Sequence, residues 1–167
     1  VLLHRYVNLH LYQNLNQIMS TEKTKITIET NINATIEKVW KAWTNDEDIK
    51  KWCFASPDWH MPSVNQDFRN GGNFSNRMEA KDGSFGFDFE GTFDNIKENE
   101  LIEITLSDGR KWDTRFEANG GTTKVVETFE AENENPLDMQ EAGWQAILDN
   151  FKKHAEKSKI VKMIFTI

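Results

Sequence analysis

The sequence predicts an α+β domain in which an antiparallel sheet packs against one long C-terminal helix. Three observations carry this. The segment KITIETNI alternates apolar and polar residues, as a half-buried strand does. From Val64 onward, strand-forming runs are separated by short turn signals: Asn70–Gly71–Gly72, Asp82–Gly83, Lys97–Glu98–Asn99, Asp108–Gly109 and Asn119–Gly120–Gly121. Strands joined by such turns pair antiparallel. Last, Leu137, Trp144, Ile147, Leu148, Phe151 and Ala155 fall on one helical stripe. A sheet with few helices buries one face against them, and this last helix is the only element long enough to cover it.

Each element follows from its residues. In the first strand Ile26, Ile28, Thr30 and Ile32 face one way. Ile36, Val39, Trp40 and Trp43 come next at i, i+3, i+4 and i+7, an amphipathic helix. Thr44 and Glu47 form a capping box that opens a second short helix, with Ile49 and Trp52 inward. In FGFDFEGTF, residues Phe85, Phe87, Phe89 and Phe93 share one face, and Gly91 on that face marks a bulge or a close approach. Asn135 is the expected N-cap of the final helix, with Pro136 at its first position and Asp138 at its third. Gly143 inside that helix costs about 1 kcal/mol relative to alanine.

Bulk properties narrow the function. The chain has 167 residues, enough for one domain with its own core. Its net charge is −7, with a pI near 5.1, so it lacks the basic footprint that nucleic acid or anionic lipid requires. One cysteine, Cys53, excludes an internal disulfide and a cysteine zinc site, and fits a reducing cytoplasm. Residues 1–18 contain no Asp or Glu and differ in composition from the rest of the chain. They lack the apolar core of a signal peptide and the basic face of a membrane-surface helix. They read as an extension outside the fold, with the domain spanning 19–158 and a tail at 159–167.

The element order and its residues resemble the START-like (SRPBCC) superfamily, and within it the AHSA-type family named for the activator of a heat-shock chaperone ATPase. The matching stretches are IEKVWKAWTNDEDIKKW, DFRNGGNF, FEGTFDNIKENELI, GGTTKVVETF and GWQAILDNF, in family order across nearly all of residues 24–155. Thr35 stands where family members often carry proline at the start of the first helix. The resemblance implies a helix-grip fold: an antiparallel sheet curved around the C-terminal helix, two short helices after the first strand, and a cavity between. It does not settle activity, because the superfamily includes lipid carriers, cyclases, hydratases and chaperone activators.

Trp40, Trp43 and Trp144 read first as core, while the resemblance places Trp52 and Trp59 at the cavity mouth. The candidate lining or mouth residues are Trp43, Trp52, Trp59, Phe74, Met78, Phe87, Phe89, Trp112, Phe116, Trp144 and Leu148. Arg77, Asp88, Glu90, Arg115 and Glu127 lie on strands and read as a solvated outer face. An inward-pointing member of that set would instead anchor a ligand. Asp67 and Arg69 beside Gly71–Gly72 read as a structural turn, since a phosphate loop would need a following helix and a Lys-Ser/Thr pair. His60 and His154 form no readable catalytic set, no metal-ligand spacing occurs, and Cys53 reads as inert.

The expected function is therefore binding of a small apolar or amphipathic molecule, lipid-like or polyketide-like, with no cofactor, no metal, no nucleic acid and no membrane insertion. Two other readings are carried. One is a chaperone-interacting stress-response module. The other is a cyclase- or hydratase-type enzyme using Asp88, Glu90 or His60, which an inward carboxylate deep in the cavity would favour.

Overall fold

The computed structural model describes residues 23–157, so the extension expected at 1–18 and the tail expected at 159–167 lie outside the described residues. Seven strands form one sheet: β1 (Lys25–Ile32), β2 (Trp59–Ser63), β3 (Asn73–Ala80), β4 (Gly86–Lys97), β5 (Leu101–Leu106), β6 (Lys111–Asn119) and β7 (Thr122–Glu130). Two short helices, α1 (Ile36–Thr44) and α2 (Asp46–Trp52), follow β1, and the long helix α3 (Leu137–Lys157) ends the described chain. The sheet order is β1-β7-β6-β5-β4-β3-β2, with every neighbouring pair antiparallel. The α1–α2 pair thus carries the chain from one sheet edge to the other. This is the expected α+β helix-grip architecture.

The turns explain why the strands pair so regularly. Each of the five turn signals holds one residue in the left-handed region, namely Gly71, Gly83, Asn99, Gly109 and Gly120. The Asn70–Gly72 turn also folds back on the sheet. The Gly71 N–H donates to the Phe93 carbonyl at 2.7 Å, and the Phe93 N–H donates to the Gly72 carbonyl at 2.9 Å. A Cβ on Gly72 would stand 1.8 Å from the Asp67 carbonyl oxygen, so DFRNGG is a packed structural corner. Arg69 and Asp67 pair with each other on its exposed side, Nε to Oδ2 2.7 Å.

The helix caps correct two details of the sequence reading. Asn45, not Thr44, caps α2: its side-chain oxygen accepts from the N–H groups of Glu47 and Asp48 at 3.1 and 3.2 Å. Thr44 still belongs to α1, where its hydroxyl donates to the Trp40 carbonyl, and Glu47 pairs with Lys50 rather than reaching back. At α3 the Pro136 carbonyl accepts the first helical hydrogen bond, from Gln140, so the start moves one residue later. Asn135 instead donates its side-chain N–H to Glu132.

Packing divides α3 into two halves. Its C-terminal half is fully embedded: Leu148, Phe151 and Ala155 are buried against β1, α1 and α2. There Trp43, Trp52, Phe116 and Phe151 form a close cluster, with Trp43–Phe151 at 4.7 Å and Trp52–Phe151 at 4.8 Å between ring centroids. Edge-to-face pairs of this kind add about 0.5–1.5 kcal/mol each beyond their area. The N-terminal half is different. Leu137, expected on the buried stripe, is 49% exposed, and only Gln140 is fully buried there. That half spans a gap instead of filling one.

Candidate functional site

The gap is a cavity of about 310 Å³ between the N-terminal half of α3 and the concave face of the sheet. Three groups of residues enclose it. Trp43, Trp52 and Cys53 come from the helical pair; Met78, Phe87, Phe89, Trp112 and Glu127 come from β3, β4, β6 and β7; Gln140, Trp144 and Ile147 come from α3. Arg110, Glu132 and Asn135 complete it from the connecting loops.

Each wall is fixed by an identifiable contact. Trp144 stacks on Phe129, with ring centroids 4.0 Å apart and planes 13° from parallel, and meets Trp112 edge-on at 5.2 Å. The Trp52 indole N–H donates to the Ala42 carbonyl at 3.1 Å, which locks that ring between α1 and α2. Gln140 ties the loop after β7 to α3: it accepts the Glu132 N–H at 2.9 Å and donates to the Asn135 carbonyl at 2.8 Å. The Asn150 side chain donates to the Phe54 carbonyl, joining α3 to the end of α2.

One group inside is polar in a way the sequence reading missed. Glu127, expected on the solvated outer face, is only 3% exposed and points inward. Its Oε2 accepts the Trp112 indole N–H at 2.8 Å, and no other hydrogen bond to it occurs among the described residues. Burial pushes its carboxyl up to about 8, opposed only in part by the Trp112 bond. Parity could have found it. In β7 the buried residues Thr123, Val125, Glu127 and Phe129 alternate with Lys124, Val126, Thr128 and Glu130, so Glu127 shares a face with valine and phenylalanine. Cys53 sits in the same wall, and burial first, then the nearby Glu127, push its thiol up to about 12. Such a thiol is not a nucleophile at neutral pH.

Seven of the eleven candidate lining residues meet at this cavity: Trp43, Trp52, Met78, Phe87, Phe89, Trp112 and Trp144. The others do not. Phe74 lines a smaller adjoining space of about 60 Å³, shared with Trp43, Trp52, Phe89 and Trp112. Phe116 and Leu148 point inward but lie too deep, buried in the filled half of the core. Trp59 stands outside, packed at 6.1 Å on Phe85 and 6.2 Å on Phe87. Trp52, expected at the mouth, is deeply buried in the inner wall, because α2 folds back onto α1.

Around the opening, apolar surface is exposed: Phe85 63%, Phe87 40% and Leu137 49%. The other strand charges lie on the convex face. Arg77 pairs with Glu79 and Asp88, Ser75 donates to Glu90, and Arg115 pairs with Asp113. His60 meets Glu79 at 3.2 Å there, and His154 meets Asp48 at 2.8 Å. Among the described residues no group of three or more His, Cys, Asp or Glu could hold a metal ion, and no helix is long and apolar enough to cross a membrane.

A curved antiparallel sheet, a gripping helix and a ring-lined cavity with one buried acid define a START-like domain of the helix-grip class. The chain belongs to the family described as "Activator of Hsp90 ATPase homolog 1-like protein", whose sequence model matches residues 33–156. A solution structure of the AHSA1-like protein from Aeromonas hydrophila is 44% identical, with a TM-score of 0.76 over 81% of this chain and 94% of that one. A solution structure from Cytophaga hutchinsonii is 50% identical, with a TM-score of 0.71 over 80% and 93%. A Nitrosomonas europaea protein at 17% identity shares the fold, with a TM-score of 0.70 over 81% and 96%. No curated protein matches the chain.

Proposed function

We propose that this domain binds a small apolar or amphipathic molecule, lipid-like or polyketide-like, in the cavity beneath the first half of α3. The observation that carries this is the cavity itself. Its volume of about 310 Å³ falls at the lower end of the roughly 300–1,000 Å³ typical of ligand sites. Its lining surface is mostly apolar, with six aromatic side chains among the fourteen residues and Glu127 buried among them, a composition that binds by apolar burial at about 25 cal/mol per Å² and orients by one anchor. The single cysteine, held as an inert thiol, suits a reducing cytoplasm.

The test is a fluorescence titration, since Trp43, Trp52, Trp112 and Trp144 all border the space. A panel of lipids, flavonoids and polyketides is titrated into the protein and into an Ile147→Trp variant, which fills the cavity from α3. At least one compound saturably quenches or shifts the wild-type emission, and the variant weakens it tenfold or more. A panel without a single response contradicts the reading.

A second reading rests on the apolar rim of Phe85, Phe87 and Leu137. Exposed clusters of this kind mark interaction sites, and the family's description names a chaperone ATPase activator. Pull-down with the host chaperone followed by an ATPase assay separates it from ligand binding. The enzyme reading changes its residue. Asp88, Glu90 and His60 lie on the outer face, while Glu127 is an inward acid able to hold a proton at neutral pH. It ranks below binding because His60 and His154, the histidines among the described residues, do not line the cavity beside it.

A further inference from the structure

On the binding reading above, Glu127 bears on what chemical group the ligand carries. Its Oε2 is taken by Trp112, while Oε1 has no partner among the described residues. The carboxyl group lines the cavity. The basic side chain in the cavity lining is already engaged: Arg110 donates from Nε to Asp108 at 2.7 Å and from its guanidinium to the Glu130 carbonyl at 3.3 Å. A buried carboxylate without a counter-ion is costly, and no counter-ion to Glu127 occurs among the described residues. The surrounding walls are mostly apolar side chains, so a charged group entering the cavity has Glu127 as its buried partner of opposite sign.

We propose that the ligand is an amine: a protonated nitrogen paired with the Glu127 carboxylate, with an apolar body lying under α3 beside Trp112 and Trp144. Empty, the acid stays protonated and neutral. Filled, it gives up its proton and becomes the counter-ion of the ligand. Affinity for an amine therefore rises with pH until Glu127 is ionised in the empty protein too. The groups facing Glu127 do not titrate across the same window in a way that reverses this. The end of α2 presents Cys53, held protonated to about 12; the turn after β5 presents Arg110; the loop after β7 presents Glu132, whose carboxyl hydrogen bonds from Glu134 and Asn135 hold low. Neighbouring strands place Ile28 and Thr114 opposite, and α3 presents Gln140 and Trp144, none of them charged.

The experiment uses three probes of equal length, n-octylamine, 1-octanol and octanoate, titrated calorimetrically at pH 6, 7 and 8 into the wild-type protein and Glu127→Gln. The amine binds the wild type at least tenfold tighter than the alcohol at pH 8. Its affinity climbs toward tenfold per pH unit from 6 to 7, and the variant erases both effects. Octanol binding as tightly as octylamine overturns the amine proposal and leaves the apolar-binding reading standing. No binding of any probe overturns both. Should Glu127→Gln fail to fold, the wild-type pH dependence decides alone: an affinity flat or falling with pH overturns the proposal.

Discussion

Glu127 sits where the alternation of β7 puts it, on the face shared by Val125 and Phe129. Its burial has a thermodynamic consequence independent of any ligand. Below about pH 4.5 the carboxyl is protonated in both folded and unfolded chains. Between about 4.5 and 8 the unfolded chain ionises and the folded one keeps its proton, so stability falls as pH rises. Above about 8 both are ionised and the loss is complete. At about 1.4 kcal/mol per pKa unit, the whole effect is on the order of 3–5 kcal/mol. Glu127→Gln removes it, because a neutral amide can still accept from Trp112. Urea unfolding at pH 5 and pH 9 checks this: the variant gains more than ~2 kcal/mol on the wild type between the two. An unchanged difference would place Glu127 in water. The sequence held this signal, since Lys124 and Glu130 flank it on the opposite face. Composition obscured it, because a glutamate on a strand is more often wet than buried.

At the scale of elements, two glycines separate what the sheet needs from what the helix tolerates. A Cβ on Gly91 would lie 2.8 Å from the Phe74 ring and 2.8 Å from the Thr105 carbonyl, so β4 passes close to both neighbours there. Gly91→Ala overpacks this contact and costs about 1–3 kcal/mol. A Cβ on Gly143 meets nothing within 4 Å, and Gly143→Ala gains roughly 0.5–1 kcal/mol from helix propensity. Chemical denaturation of the two variants gives opposite signs; equal signs would contradict the packing described. The elements themselves were legible in the sequence. The alternation of KITIETNI, the stripe in IEKVWKAW and the five turn signals each have a period or a backbone requirement of their own. The caps were legible only to within a residue, because TND offers three capping side chains in a row, and only the hydrogen bonds of Asn45 choose between them.

Across the whole molecule, the same helix does two jobs. Its later turns close the core on Trp43, Trp52, Phe116 and Phe151. Its earlier turns roof a cavity and end at an apolar rim. Periodicity cannot tell these halves apart, since both need inward apolar residues. For that reason the sequence alone groups Phe116 and Leu148 with the lining and Trp52 with the mouth. Depth depends on how far the curved sheet stands from the helix, a property no local stretch encodes. The chain's six tryptophans turn this into a direct experiment. In a ¹⁵N–¹H NMR titration with 1-octanol or n-octylamine, the indole N–H signals of Trp112 and Trp144 shift saturably, while that of Trp40, buried between Phe68 and Phe116, stays in place. Shifts confined to Trp59 on the outer hairpin, or no shift at all, would mean that the space under α3 admits no guest.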